Sequence, residues 1–365
     1  MGLTAEQVRS ALASVNDPAT GREIVSGQLE RVEITQDGAA GERVVLTVSL
    51  ISPGYPQRGT LDASLRGALD SLGVPVDIQY TLRVPHKPAR QDLNRLPTVK
   101  NIIAVAAGKG GVGKSTVSVN VAMALKQLGA RVAILDADIY GPSVPKMLGV
   151  PNRETSTTPE GDRIAPAIYR GVPVMSVAYF VEPGGAVIWR GPMIHKLLKQ
   201  FLEDVVWGEI DYLIVDLPPG TGDAQLSLAQ LIPITGAIMV TTPQEIALID
   251  VRRAVNMFNK LEVPIVGVVE NMSHYVCPAC GYRDNIFAAG GGRNLARELN
   301  VPLLGQVPIN NQISHGGEAG APVVEAVPDG DQARVLIDIA AQAALAISKL
   351  SASGPKRSTM LRTVN

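Results

Sequence analysis

The run Gly108-Lys109-Gly110-Gly111-Val112-Gly113-Lys114-Ser115-Thr116 constrains this chain more than any other stretch. It fits G-x-x-x-x-G-K-S/T, the pattern in which backbone N–H groups of a glycine-rich loop cradle phosphates. Asn101 to Ala107, one polar residue followed by six apolar ones, predicts a buried strand before it. Ser115 to Leu128 predicts a helix after it, with Val119, Ala122, Met123 and Leu125 at helical spacing and Gly129 as its C-cap. A strand, a tight turn and a helix N-terminus together form an anion site, because unsatisfied N–H groups and the helix dipole both face the ligand. The expected ligand is a nucleoside triphosphate.

From Thr98 onward, short apolar runs alternate with helical patterns. Arg131–Asp136, Val172–Val177, Tyr212–Asp216, Ala237–Thr241, Ile265–Glu270 and Leu303–Val307 read as parallel strands covered on both faces. Ile194–Val206, Gln244–Asn259, Gly292–Leu299 and about Asp331 to Leu350 read as helices. Residues 98–350 are therefore expected to form a doubly wound, mostly parallel α/β sheet of P-loop NTPase type. Residues 1–84 read as a small α+β domain in the order α-β-β-α-β. Thr4-Ala5-Glu6-Gln7 is a capping box at its start, and Gln28–Thr35, Arg43–Ile51 and Val74–Val84 are its strands. Its second helix runs from Leu61 to Leu72. Residues 85–97, with three prolines, read as a linker, and 351–365 as a mobile polar tail.

Lys and Arg total 33 against 34 Asp and Glu, a balance with no field to recruit nucleic acid or an anionic membrane. Glu6, Arg9, Asp17 and Arg22 interrupt the N-terminus, which does not read as a secretory signal. Ile339 to Ser348 is the longest charge-free part of the C-terminal helical stretch and is too short to span a bilayer. A cytoplasmic protein with no stable membrane association is expected.

Two acidic strand ends complete the expected nucleotide site. Ile134-Leu135-Asp136-Ala137-Asp138 and Tyr212-Leu213-Ile214-Val215-Asp216 each deliver carboxylates where Mg²⁺ can be held directly or through water. A strand-end aspartate can also simply cap the helix that follows. Leu217-Pro218-Pro219-Gly220-Thr221-Gly222-Asp223 after the second strand is a turn able to change shape when the γ-phosphate leaves. A separate chemistry is signalled by Val276-Cys277-Pro278-Ala279-Cys280-Gly281. Two thiols three positions apart in a tight turn can face one ion. The spacing admits a redox dithiol, half a zinc site or half a [4Fe–4S] site. Cys277 and Cys280 are the only cysteines, so a four-thiolate site needs two chains. His274 is a further candidate ligand, or a loop histidine.

Lys109 directly after the first glycine resembles the signature lysine of the deviant Walker A (SIMIBI-type) ATPases, which include MinD, ParA and the nitrogenase iron protein. That resemblance implies that Lys109 reaches the phosphates bound by a homodimeric partner and that Asp138 positions the attacking water. The chain as a whole resembles the Mrp/ApbC family of iron–sulfur cluster carriers. Gly108 to Thr116, Asp136 to Ser143, Trp189-Arg190-Gly191-Pro192-Met193, Asp216 to Asp223, Glu270-Asn271-Met272-Ser273 and Cys277 to Cys280 carry the likeness. It implies a homodimer with a labile [4Fe–4S] cluster bridging two Cys277/Cys280 pairs, received from assembly donors and passed to apo iron–sulfur proteins with slow ATP hydrolysis. It also implies that Asn271 meets the adenine edge. Lys114 is expected on the β/γ-phosphates, Ser115 on Mg²⁺ and Asp216 in the Mg²⁺ shell, while Arg190 has no assigned role.

Residues 1–84 resemble the small MIP18-like domain fused to many of these proteins, through Asp17-Pro18 and Ser52-Pro53-Gly54-Tyr55-Pro56. Many such domains carry a cysteine where this chain has Tyr55, which leaves docking or regulation as the expected role. The competing reading is a ParA/MinD-like positioning ATPase with structural zinc or no metal at the cysteine pair. That class calls for a basic surface or basic amphipathic helix, and only Lys356, Arg357 and Arg362 in the polar tail offer one.

Overall fold

The computed structural model describes residues 2–36, 41–86, 96–150, 157–158, 161, 163–180 and 191–352. It divides into two compact units, Met1–Pro85 and His86–Asn365.

In the first unit, helix α1 (Ala5–Ala11) starts at Thr4, whose side chain accepts from the Gln7 N–H while the Gln7 side chain accepts from the Thr4 N–H. This reciprocal capping satisfies two donors that the first turn leaves without partners. A short turn of helix α2 (Ile24–Gly27) leads into β1 (Leu29–Gln36), then β2 (Glu42–Leu50), α3 (Arg58–Leu69) and β3 (Val76–Leu82). The strands pair in the order β1-β2-β3, antiparallel then parallel. Val8, Leu12, Val44, Leu46, Val48, Leu61, Leu65 and Leu69 are buried in its core.

The second unit begins with β4 (Val99–Ala107), α4 (Lys114–Gln127), β5 (Val132–Asp136), α5 (Val144–Met147), β6 (Ala167–Tyr169) and β7 (Val172–Ser176). It continues through α6 (Gly191–Glu203), β8 (Ile210–Asp216), α7 (Asp223–Leu231), β9 (Gly236–Thr241), α8 (Glu245–Lys260) and β10 (Ile265–Val276). It ends with β11 (Arg283–Asp284), α9 (Gly291–Glu298), β12 (Leu303–Ile309), α10 (Asn311–Glu318), α11 (Val323–Ala326) and α12 (Asp331–Ala352). The sheet order is β12-β10-β9-β4-β8-β5-β7-β6, with β11 paired to the far end of β10. Among the described strands of this sheet, only β6 and β11 run antiparallel to their neighbours.

Apolar runs become central strands here because both faces are covered. Ile102, Ala104 and Ala106 share a core with Leu198, Phe201, Leu228, Val251, Phe258 and Leu295 from α6 to α9. Ile103 and Val105 alternate to the other face, where α4 and α12 pack against the sheet. Glycine lets α12 come close: a Cβ at Gly236 would meet Ile347, and one at Gly305 would meet Ile339. The chain steps outward from β4 on both sides, so the carboxyl ends of β4, β5 and β8 converge at a switch point. Asp136 and Asp216 sit directly opposite each other in that register.

Several boundaries differ from the expected ones: α3 spans Arg58–Leu69 rather than Leu61–Leu72, α6 spans Gly191–Glu203 rather than Ile194–Val206, and β3 spans Val76–Leu82 rather than Val74–Val84. Val177 lies in a short 3₁₀ turn after β7, not in the strand. Strand β10 runs six residues past Glu270, to Val276, because its far half is held by pairing with β12 and β11 rather than by an apolar run. The expected tail beyond 352, most of the linker and the Trp189-Arg190 pair lie outside the described residues. No described helix is long and apolar enough to cross a membrane.

Candidate functional site

Gly108 to Thr116 connect β4 to α4 at the switch point. Gly111 and Gly113 hold φ of +80° and +81°, the left-handed region that a side chain makes costly. Gly108 is required for a different reason: a Cβ there would collide with the backbone of Asp250 and Val251 in α8. Gly113 caps α4 without any side-chain bond, leaving the first-turn N–H groups directed at the loop. This is the geometry of an anion cradle.

Lys114 is buried and its Nζ lies 2.7 Å from Asp216 Oδ2 and 3.3 Å from Asp138 Oδ2. Asp216, fully buried, also accepts from Ser115 Oγ and Ser118 Oγ, each at 2.6 Å. Asp138 Oδ1 accepts from the N–H groups of Tyr140 and Gly141, which leaves Oδ2 facing Lys114. Asp136 turns the other way, accepting from Ser176 Oγ at 2.9 Å and from the Asp138 and Val144 N–H groups. Burial first, and then the negative charge of Asp216, push the Asp136 carboxyl well above the ordinary aspartate range. The loop after β8 lies along the phosphate loop: the Gly220 N–H donates to Ala107 O, and Pro219 faces Gly110. Lys109 is half-buried and makes no hydrogen bond or ion pair among the described residues.

Asn271, on β10, reaches the loop from the side. Its Nδ2 donates to Val112 O at 2.9 Å. A Cβ on Gly113 would overlap that amide, so the glycine is needed for contact as well as for its backbone angle. Thr116 stands in the first turn of α4, where its carbonyl accepts from Asn120.

Cys277 follows β10 immediately. The Cys277 N–H donates to Tyr282 O and the Gly281 N–H donates back to Cys277 O, closing a tight knuckle that β11 finishes. Residues 278–289 are all exposed, including Tyr282, Ile286 and Phe287. The backbone N–H groups of Ala279 and Cys280, then the Cys280 thiol, hold the Cys277 thiol below its ordinary range. A half-buried Cys277 beside an exposed Cys280 on a solvent-facing turn suits a soft metal or cluster. His274 bonds Ser273 Oγ and Arg283 through Nδ1. Burial and the Arg283 charge hold its imidazole below the usual histidine range. No cluster of three or more His, Cys, Asp or Glu suited to a metal exists within the described residues of one chain.

Comparison with known proteins then decides the family. Residues 98–344 match the profile of the NUBPL iron-transfer P-loop NTPases, within the ParA group. The chain belongs to that family. Residues 5–79 match the profile of an iron–sulfur cluster assembly protein. The iron–sulfur cluster carrier protein of Synechocystis is 43% identical over 351 residues, spanning 95% of this chain and 98% of that one. A nucleotide-binding protein of Archaeoglobus fulgidus, solved in complex with ADP, is 36% identical with a TM-score of 0.56, covering 62% of this chain and 89% of that one. The cell division ATPase MinD of Pyrococcus furiosus, at 24% identity and a TM-score of 0.51 over 66% of this chain and 97% of that one, shares the fold.

Within this iron-transfer P-loop NTPase, the structure brings Lys114, Ser115, Asp138, Asp216 and Asn271 around one loop, while Cys277 and Cys280 stand apart on the knuckle. Ser118 and Ser176 escaped the sequence reading. Ser118 was detectable, lying three residues after Ser115 on the same helix face. Ser176 was not, because only strand pairing brings it to Asp136.

The first unit has its own buried carboxylate. Asp17 accepts from Tyr55 Oη at 2.7 Å, Gln28 Nε2 at 3.2 Å, Thr20 Oγ1 at 2.9 Å and the N–H groups of Ala19 and Thr20. Burial alone would raise its pKa, but these donors outweigh it and hold the carboxyl below the ordinary range. Burial and Asp17 together push the Tyr55 hydroxyl far upward, so it remains a donor.

Proposed function

We propose that this chain is an ATP-dependent carrier of a [4Fe–4S] cluster. The cluster, its cargo, is held by Cys277 and Cys280 from each of two copies, received from assembly donors and passed to apo iron–sulfur proteins in the cytoplasm. The observation that carries this reading is the solvent-facing knuckle that sets Cys277 and Cys280 side by side at the end of a strand that also contacts the phosphate loop. One chain supplies two thiolates, and four are needed, which is the argument for a homodimer.

For the nucleotide, the residues act by exchange of partners. Phosphates entering the Gly108–Thr116 cradle compete for Lys114, which moves from Asp216 and Asp138 to the β/γ-oxygens. Ser115 and, through water, Asp216 offer the hard oxygen donors that fit Mg²⁺. When bound, Mg²⁺ offsets charge on the β- and γ-phosphates. Released from Lys114, Asp138 Oδ2 can accept a hydrogen bond from the attacking water. That water bonds to the γ-phosphorus as the bond to the ADP oxygen breaks. Lys109 reaches the phosphates of the partner copy, and Asn271 Oδ1, whose amide nitrogen is engaged by Val112, accepts from adenine. Hydrolysis then alters the Pro218–Asp223 loop and the dimer interface, loosening the cargo. An Asp138→Ala protein that no longer hydrolyses ATP yet transfers clusters at the normal rate would sink that last step.

The deciding experiment is anaerobic reconstitution with iron and sulfide, read by iron content, absorption spectrum and mass. About four irons per dimer with a broad charge-transfer band, lost in Cys277→Ser, is the expected result. A colourless dimer with one zinc, or a metal-free protein, would favour a positioning ATPase, the reading left by the MinD-like fold alone.

A further inference from the structure

Strand β10 touches both sites. Glu270 anchors its middle, accepting from the Gly292 N–H and the Gln306 amide. Pairing with β9 ends at that residue, opposite Thr241. The next residue, Asn271, holds Val112 O of the phosphate loop, and a Cβ built on Gly113 would also lie 4.0 Å from Met272 Cε. Met272 has φ of +53°, a left-handed conformation unusual for a long side chain, and the register with β12 shifts between Asn271 and Tyr275.

Beyond this kink, Ser273 Oγ bonds Val307 O, and Tyr275 and Val276 pair with Asp284 and Arg283 to close the knuckle. Cys277 is six residues from Asn271, roughly 20 Å of extended chain. From Glu270 on, the strand is therefore fixed at one end, attached to the phosphate loop beside a kink, and terminated by the thiols.

We propose that β10 is a direct mechanical link between nucleotide and thiols, with Asn271 and Met272 as positioning residues. When phosphates fill the loop, Val112 O shifts, Asn271 follows it, and the segment from the Met272 kink to Cys277 re-aims both cysteines. This rests on the nucleotide-binding half of the proposed function and is independent of what metal, if any, the thiols hold. It needs no change in the Pro218–Asp223 loop and no dimer.

The test uses the full, metal-free, reduced chain under anaerobic conditions. Iodoacetamide alkylation of Cys277 and Cys280 is timed with and without magnesium and a non-hydrolysable ATP analogue, while calorimetry records binding of the analogue. In the wild type, nucleotide should change the alkylation rate by about fivefold or more. Met272→Gly adds backbone freedom at the kink; it should bind nucleotide as tightly, with a rate that nucleotide no longer alters. Met272→Asn tolerates the left-handed backbone and should restore the dependence. A wild type that binds the analogue with unchanged alkylation would overturn the link. So would a Met272→Gly protein keeping the full dependence, since the effect would then come from dimer contact or the other loop. Absence of analogue binding in the wild type would instead overturn the nucleotide reading and the link with it.

Discussion

Each compact unit buries an aspartate, and the two are satisfied in different ways. Asp17 is surrounded by neutral donors, Tyr55, Thr20, Gln28 and two backbone N–H groups, each supplied by the small unit itself. Asp216 is satisfied by Lys114, Ser115 and Ser118, and the first two belong to the phosphate loop. Removing a donor from Asp17 leaves a buried charge under-satisfied and gains nothing. Drawing Lys114 away from Asp216 brings a cation to an incoming phosphate. A closed polar cluster holds a fold together, whereas one whose donors have a second possible partner can serve a ligand. Beside Asp216, burial first and then the neighbouring negative charge raise the Asp136 carboxyl.

The largest expected effect tests the open cluster. Lys114→Ala leaves Asp216 buried without its cation and should cost about 3–5 kcal/mol of stability, besides abolishing ATP binding. Chemical denaturation and calorimetric titration of the full chain measure both. Tyr55→Phe should come next. Losing a hydrogen bond to a buried charge costs about 1.5–3 kcal/mol, seen as reduced amide-exchange protection of β1 to β3, with ATP affinity and iron loading intact. An ATP-binding defect in Tyr55→Phe would break the contrast, since the closed cluster would then serve the ligand too.

The pH dependence separates the clusters by sign. Asp17 is held below its ordinary value near 3.8, so its contribution is present above that pH and is lost as pH falls through the folded value. The cost of Asp17→Asn should be greatest at neutral pH and shrink on acidification. Asp136 is raised from 3.8, so its contribution is present in acid and is lost as pH rises through the folded value. The cost of Asp136→Asn should be greatest in acid and shrink toward neutrality. Denaturation midpoints of both variants across about pH 3 to 8 should give opposite slopes, and parallel slopes would remove the distinction. The smallest expected effect is at the knuckle. Cys277→Ser lies on an exposed turn and should leave the melting midpoint and ATP affinity in place while iron retention is lost.

Much of the second unit was legible because its information is local. The phosphate loop is nine contiguous residues, and most of the central strands are uninterrupted apolar runs. The capping box at Thr4 and the helical stripe of Leu61, Leu65 and Leu69 served the first unit equally well. Legibility fell where pairing partners are distant. His274 read as a loop residue, yet it lies within β10, between Asn271 and Tyr275, which both pair with β12. Short elements such as α10, α11 and β11 had too few residues to show a period.

Taken alone, the amino-acid order determined a phosphate-binding turn, a parallel α/β sheet around it, a small α+β unit ahead of it, and two thiols too few to hold a cluster unaided. Those follow from backbone sterics, burial patterns and residue counts, all properties of neighbouring or counted residues. The tertiary structure decided the pairings: Tyr55 with Asp17 across 38 positions, Lys114 with Asp216 across 102, and Asn271 with Val112 across 159. Such contacts form only when strands stack in one register and burial removes water as the competing partner, so a carboxylate must take whichever donor the fold delivers.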